Sequence, residues 1–88
     1  MFMVIERFRN KDAAAVYRRF REKGRMLPDG LRYVNSWVTA DFDRCFQLME
    51  CDDVRLMMQW MLQWRDLMDF EVIPVSPSKK VRELFSAG

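Results

Sequence analysis

An α+β fold, with a four-stranded antiparallel sheet and the element order β-α-β-β-α-β, is predicted by three features of the 88-residue sequence. Residues 44–51 alternate between two unlike faces and run straight into two aspartates, as a strand followed by a capped helix would. Two segments, 11–23 and 54–68, place apolar residues at helical spacing. A short connection joins 31–39 to 44–51, which predicts an antiparallel hairpin.

The elements have recognisable boundaries along the chain. Asn10 is expected to cap the first helix, Gly24 to end it, and Asp52 or Asp53 to cap the second. Pro74 confines the last strand to an edge of the sheet. The predicted elements are strands at 2–8, 31–39, 44–51 and 70–75, helices at 11–23 and 54–68, and a tail or short helix at 78–88. This order is that of the ferredoxin-like split βαβ fold, with both helices on one face and the first and third strands in the centre.

Apolar stripes and cross-strand pairs give the expected packing of these elements. The stripe of the first helix consists of Ala13, Val16, Tyr17 and Phe20. The stripe of the second consists of Val54, Met57, Met61, Trp64 and Met68, widened by Trp60 and Leu67. If the hairpin turn centres on Asp41, the pairs are Arg32–Glu50, Tyr33–Met49, Val34–Leu48, Asn35–Gln47, Ser36–Phe46 and Trp37–Cys45. A change of one residue in the turn would exchange the two faces.

Composition and charge indicate one folded domain spanning residues 1–88. Half of the residues are hydrophobic and 32% are charged, which is typical of a globular chain. Residues 1–30 carry an excess of basic groups and 31–78 an excess of acidic groups, so the first helix has either a solvated basic face or an anion-binding one.

No apolar run approaches the ~20 residues of a membrane span, and the apolar start at 1–5 is too short for a signal peptide. We therefore expect a cytoplasmic protein that does not bind membranes.

The residues that usually hold metals and cofactors are sparse. Histidine is absent, and the three glycines form no phosphate-binding loop. Cys45 and Cys51 lie on the same predicted strand, ~20 Å apart, which is too far for a disulfide or a shared zinc ion. We expect two shielded, reduced thiols, no metal and no cofactor.

Four sequence blocks resemble a bacterial family described as a domain of unknown function, 3303. They are Met3-Val4-Ile5-Glu6-Arg7-Phe8, the block 27–34 (LPDGLRYV), Ser36-Trp37 and the block 45–53 (CFQLMECDD). The resemblance covers residues 1 to about 77 and implies a ferredoxin-like α+β fold without an established activity. It also implies kinship with dimeric α+β barrel proteins, in which two sheets pack face to face. A homodimer is expected because aromatic and Met residues exceed what one face of helices can cover, and because Tyr33 and Trp37 are expected on the other face. No catalytic motif of those relatives is matched, so none of their functional residues is carried over.

The candidate ligand-binding residues lie on two parts of the predicted sheet. Tyr33, Asn35, Trp37 and Gln47 are expected on the face away from the helices, where aromatic walls and two amides could orient a small planar molecule. The alternative is that these groups only form hydrogen bonds across a dimer interface. Glu6, on a central strand, could carry a proton if burial raises its pKa; the alternative is a carboxylate that is paired with an arginine or held in water at the strand end.

Two functional interpretations remain open from the sequence. The first is a homodimeric module that binds a small molecule and could act as a cofactor-free enzyme. The second is a structural or regulatory protein whose sheet face serves only dimerisation. RNA binding is not expected, because the third strand lacks the exposed aromatic residues that RNA-recognition sheets use.

Overall fold

The computed structural model describes residues 1–86, which form one four-stranded sheet with helices packed on it. The elements are β1 (Phe2–Phe8), α1 (Ala13–Lys23), β2 (Arg32–Val38), β3 (Arg44–Glu50), α2 (Val54–Met61), β4 (Met68–Pro74) and α3 (Ser78–Ser86), with a 3-10 turn at Arg9–Lys11. The strand order is β2-β3-β1-β4 and every pairing is antiparallel. This confirms the predicted ferredoxin-like α+β fold, including the central position of β1 and β3 and the edge position of β4.

The core lies between one face of the sheet and the helices α1 and α2. Val4, Glu6 and Phe8 of β1 are buried on this face. In β3 the buried residues are Cys45, Gln47 and Met49, and Val4 pairs with Gln47 while Glu6 pairs with Cys45. From the helical side come Val16, Met57, Trp60 and Trp64. Two polar side chains, Glu6 and Gln47, thus lie inside an otherwise apolar core.

The first helix begins later than the sequence predicted. The cap is Asp12 rather than Asn10, and its carboxylate accepts a hydrogen bond from the Ala15 backbone N–H at 3.1 Å. Asn10 instead has a positive φ of 56° within the preceding 3-10 turn, a conformation that asparagine tolerates better than most residues. The predicted end is confirmed, since Gly24 follows the last helical residue with a φ of 67°.

The second helix is shorter than predicted and the last strand begins earlier. The helix ends at Met61 instead of 68, and β4 begins at Met68 instead of 70. The bonds from Gln63 N–H to the Trp60 carbonyl and from Trp64 N–H to the Met61 carbonyl show that the chain tightens into turns. These turns keep Trp64 and Met68 buried, so the predicted stripe is largely right, except that Val54 is exposed.

The hairpin of β2 and β3 contains a bulge at Val34. The pairs Arg32–Glu50 and Tyr33–Met49 match the prediction, but beyond them the register shifts by one residue. The remaining predicted pairs are therefore wrong: the observed pairs are Asn35–Leu48, Ser36–Gln47, Trp37–Phe46 and Val38–Cys45. Asn35 accepts a hydrogen bond from the Ser36 backbone N–H at 2.8 Å, which stabilises this irregular segment.

The C-terminal segment forms a helix whose apolar side is uncovered. Val81, Leu84 and Phe85 form an apolar stripe on α3, where Leu84 is 75% and Phe85 is 85% exposed. The last part of the predicted tail, 87–88, lies outside the described residues. Among residues 1–86, no helix is long and apolar enough to cross a membrane.

Candidate functional site

A cavity of about 110 Å³ lies between the sheet and the helices α1 and α2. The sheet contributes Glu6, Ser36, Cys45 and Gln47 to its wall. The helical side contributes aromatic rings, namely Tyr17, Phe20, Trp60 and Trp64. Since Tyr17 and Phe20 are partly exposed, the mouth of the cavity lies beside α1. The cavity thus combines an apolar wall with a few polar groups, as small-molecule sites do.

The carboxyl group of Glu6 is the most unusual group in this cavity. Glu6 is only 5% exposed, and within residues 1–86 it forms no ion pair. Burial raises its pKa to about 7, although a hydrogen bond with the Cys45 thiol and the positive charge of Arg25 both lower it. At neutral pH, Glu6 therefore exists in both protonation states. The predicted burial of this residue is confirmed, whereas no ion pair with an arginine is found among residues 1–86.

Cys45 lies beside Glu6 and serves as its hydrogen-bonding neighbour. Burial, together with the nearby Glu6 carboxylate, raises the pKa of the Cys45 thiol to about 12. The thiol therefore stays protonated at neutral pH and is a poor nucleophile. Both cysteines are free; Cys45 is buried, whereas Cys51 is half-buried and thus less shielded than predicted.

Arg25 is held in the cavity wall by four aromatic side chains. Its backbone carbonyl accepts hydrogen bonds from the indole N–H groups of Trp60, at 3.0 Å, and Trp64, at 3.1 Å. Its guanidinium carbon lies 3.6 Å from the ring centroid of Tyr33 and 4.9 Å from that of Phe20. These contacts fix both ends of the residue, and the guanidinium borders the cavity next to Glu6.

The predicted site residues fall on two different faces of the sheet. Gln47 and Glu6 line the cavity, and the Tyr33 hydroxyl lies 2.7 Å from the Ser36 hydroxyl, which also lines it. Asn35 and Trp37 lie on the opposite face, which no helix of the described chain covers. The expectation that Tyr33, Asn35, Trp37 and Gln47 share the face away from the helices is therefore wrong.

Two physical reasons account for this correction. The bulge at Val34 moves Asn35 and Trp37 out of phase with Tyr33. In β3, both faces are apolar enough to be buried, and the helices cover the face of Cys45, Gln47 and Met49 rather than that of Phe46 and Leu48.

The position of Arg25 in the cavity wall could not be expected from the local sequence alone. Arg25 follows the helix-ending Gly24, so the helical periodicity no longer determines where it points. A usable signal was present in the second half of the chain. Trp60 and Trp64 lie one helical turn apart on a buried stripe, and both indole N–H groups need an acceptor there.

The described residues, 1–86, give no indication of a metal centre. Among residues 1–86, no three or more side chains of the types His, Cys, Asp and Glu come together in a group that could hold a metal ion. The polar groups of the cavity are instead one carboxyl, one guanidinium, one amide, one thiol and hydroxyl groups.

Comparison with known proteins gives a family without a known activity. No curated protein and no solved structure matches the chain. A family model matches the whole chain, residues 1–88, and carries the description Domain of unknown function (DUF3303). The protein therefore belongs to the DUF3303 family.

Proposed function

We propose that this protein is a small-molecule-binding module that works as a homodimer. The observation that carries the proposal is the buried Glu6 carboxyl group, which lines a cavity without an ion-pair partner among residues 1–86. A buried ionisable group costs free energy unless something compensates for its lost hydration. A ligand in the cavity would supply that compensation.

The dimensions and the lining of the cavity indicate what could enter. Its volume of about 110 Å³ is somewhat smaller than the ~150 Å³ cavity that holds a benzene ring. Aromatic rings form one wall and the polar groups of β1 and β3 form the other. A ligand of about six non-hydrogen atoms, one or two of them polar, would fit inside, and a larger one would extend into the mouth beside α1.

The open face of the sheet supports the dimer. Apolar side chains from three strands remain partly exposed there: Met3, Ile5, Trp37, Phe46 and Leu48. The same face carries basic groups on β1 and β3, such as Arg7 and Arg44, and acidic groups on β4, such as Asp69 and Glu71. A face with apolar residues and both signs of charge can pair with a second copy of itself about a two-fold axis.

Catalysis without a cofactor would use Glu6 as the proton carrier. Its pKa of about 7 suits a group that both takes up and releases protons at neutral pH. Binding of a small molecule does not require that Glu6 also acts in catalysis. The competing interpretation, an interaction protein, is favoured by the apolar open face alone and predicts that the cavity stays empty.

A thermal-shift screen of metabolites tests the proposal. A ligand present at 100 times its Kd should stabilise the protein by about 2.7 kcal/mol. Ser36→Phe, which places a ring in the cavity, should abolish the shift, whereas Ala14→Phe, which adds the same ring on the exposed side of α1, should preserve it. Loss of the shift in both variants, or no shift with any compound, would favour the interaction protein.

A further inference from the structure

We propose that the cavity binds a small organic acid, whose carboxylate pairs with the guanidinium of Arg25 and whose apolar body lies against the aromatic wall formed by Trp60 and Trp64. This inference rests on the proposed function and names the ligand class for the same cavity. It is carried by the position of Arg25 in the cavity wall, by its contacts with two aromatic rings and by its lack of an ion pair among residues 1–86.

Arg25 differs in its electrostatic partners from four other arginines of the described residues. Ion pairs within residues 1–86 join Arg9 to Asp69, Arg19 to Asp66, Arg32 to Glu50 and Arg55 to Asp53. In that part of the chain, Arg25 forms no ion pair and donates no side-chain hydrogen bond to another residue. It is also the basic side chain that borders the cavity. An anion in the cavity would therefore meet one unneutralised positive charge.

The aromatic contacts leave the hydrogen-bonding edge of Arg25 available. A guanidinium that packs against rings uses its flat faces for them, and its N–H donors point outward in the guanidinium plane. Tyr33 and Phe20 are those rings, and the Trp60 and Trp64 indoles fix the backbone. A planar fork of donors held in this way matches the two oxygens of a carboxylate. Because these contacts already order the side chain in the free protein, ligand binding costs little of its conformational entropy.

The adjacent Glu6 makes the binding of an acid depend on protons. The charged or titratable groups that face Glu6 are Cys45 from β3, Arg25 from the segment after α1, and Tyr17 from α1. A carboxylate ligand would add a negative charge beside Glu6 and would favour its neutral form. The neutral carboxyl group could then donate a hydrogen bond to the ligand. Binding should consequently take up a proton and weaken as the pH rises above 7.

Calorimetric titration with benzoate and butyrate as probes tests this inference. Benzamide, which has nearly the same shape as benzoate without the charge, and benzylamine, which carries the opposite charge, are the comparison compounds. We expect benzoate or butyrate to bind at least tenfold more tightly than both comparison compounds. Between pH 7 and pH 9 the affinity should fall by about tenfold per pH unit, since one proton is taken up. In Glu6→Gln this pH dependence should be lost.

Matched variants test whether Arg25 supplies the positive charge that binds the carboxylate. Arg25→Gln should weaken carboxylate binding at least tenfold, whereas Arg18→Gln, the same change on the exposed side of α1, should change it less than twofold. If Arg25→Gln does not fold, the comparison of benzoate with benzamide on the unaltered protein still decides. Equal affinity for the acid and its amide, or an unchanged affinity in a folded Arg25→Gln, would overturn the inference.

The outcomes separate this inference from the proposed function. If neutral or cationic compounds bind and Ser36→Phe abolishes their binding, the module stands and only the acid specificity is wrong. If no probe and no metabolite binds, both fail together.

Discussion

The guanidinium carbon of Arg25 lies 3.6 Å from the ring centroid of Tyr33, which joins the segment after α1 to the edge strand β2. Tyr33 precedes the bulge at Val34, and its hydroxyl lies 2.7 Å from that of Ser36, which follows the bulge. One side chain thus fixes the charged wall of the cavity and bridges the irregular part of β2. The bulge is what allows this, because it brings Tyr33 and Ser36, three residues apart, to the same face.

Two substitutions at Tyr33 separate its hydroxyl group from its ring. Tyr33→Phe loses only the hydrogen bond to Ser36 and should lower the free energy of unfolding by about 1 kcal/mol. Tyr33→Leu also loses the cation–π contact with Arg25 and should cost roughly 0.5–2 kcal/mol more. Urea denaturation of both variants measures these changes. Tyr17→Phe is the control, since Tyr17 is 46% exposed and its substitution should change the free energy of unfolding little. Equal costs for the two Tyr33 variants would contradict the role of the ring.

The fold could be predicted from the sequence because its signals are local and repeated. Strand alternation in β3, helical stripes in α1 and α2, and Gly24 and Pro74 as boundaries all lie within a few residues of the elements they define. The position of the site could not be predicted in the same way. One extra residue at Val34 reverses the faces of Asn35 and Trp37, and no local pattern marks that insertion.

The position of Arg25, a loop residue, could not be predicted from local sequence either. Its position depends on Trp60 and Trp64, which are more than 30 residues away in sequence. The burial of Glu6 could be predicted, because Glu6 alternates with the core residues Val4 and Phe8 along a central strand.

The pH dependence of stability should report the buried Glu6. In the folded protein its pKa is about 7, compared with the ordinary value of 4.5, so the folded state binds more protons than the unfolded state between these two values. The contribution of Glu6 to the free energy of unfolding should therefore be most favourable below pH 4.5. It should decrease by about 3 kcal/mol as the pH rises from 4.5 to about 7. Glu6→Gln should remove this decrease. Urea denaturation at a series of pH values measures it, and an identical slope in both proteins would contradict the shift.

The two cysteines should differ in their reactivity in the folded protein. The Cys45 thiol is buried and its pKa is raised to about 12, so its thiolate is scarce at pH 8, whereas Cys51 is half-buried. A thiol-specific reagent should label Cys51 at least tenfold faster than Cys45, and both should react at similar rates after denaturation. Mass spectrometry of digested samples assigns the label, and Cys51→Ser leaves Cys45 as the single target. Fast labelling of Cys45 in folded Cys51→Ser would mean that the core opens readily at β3.

The dimer proposal predicts that one substitution on the open sheet face produces monomers. Trp37 is 50% exposed there and pairs with Phe46, next to the apolar residues of β1 and β3. Trp37→Lys would bury a charge in the interface without a partner, which is costly, but would leave the monomer's own core unchanged. Analytical ultracentrifugation at micromolar concentration should give twice the chain mass for the natural protein and the single chain mass for Trp37→Lys.

Phe42→Lys, the same kind of change at a 66% exposed aromatic in the hairpin turn, should remain dimeric. A natural protein that sediments as a monomer would refute the dimer, and dissociation by Phe42→Lys as well would place the interface elsewhere.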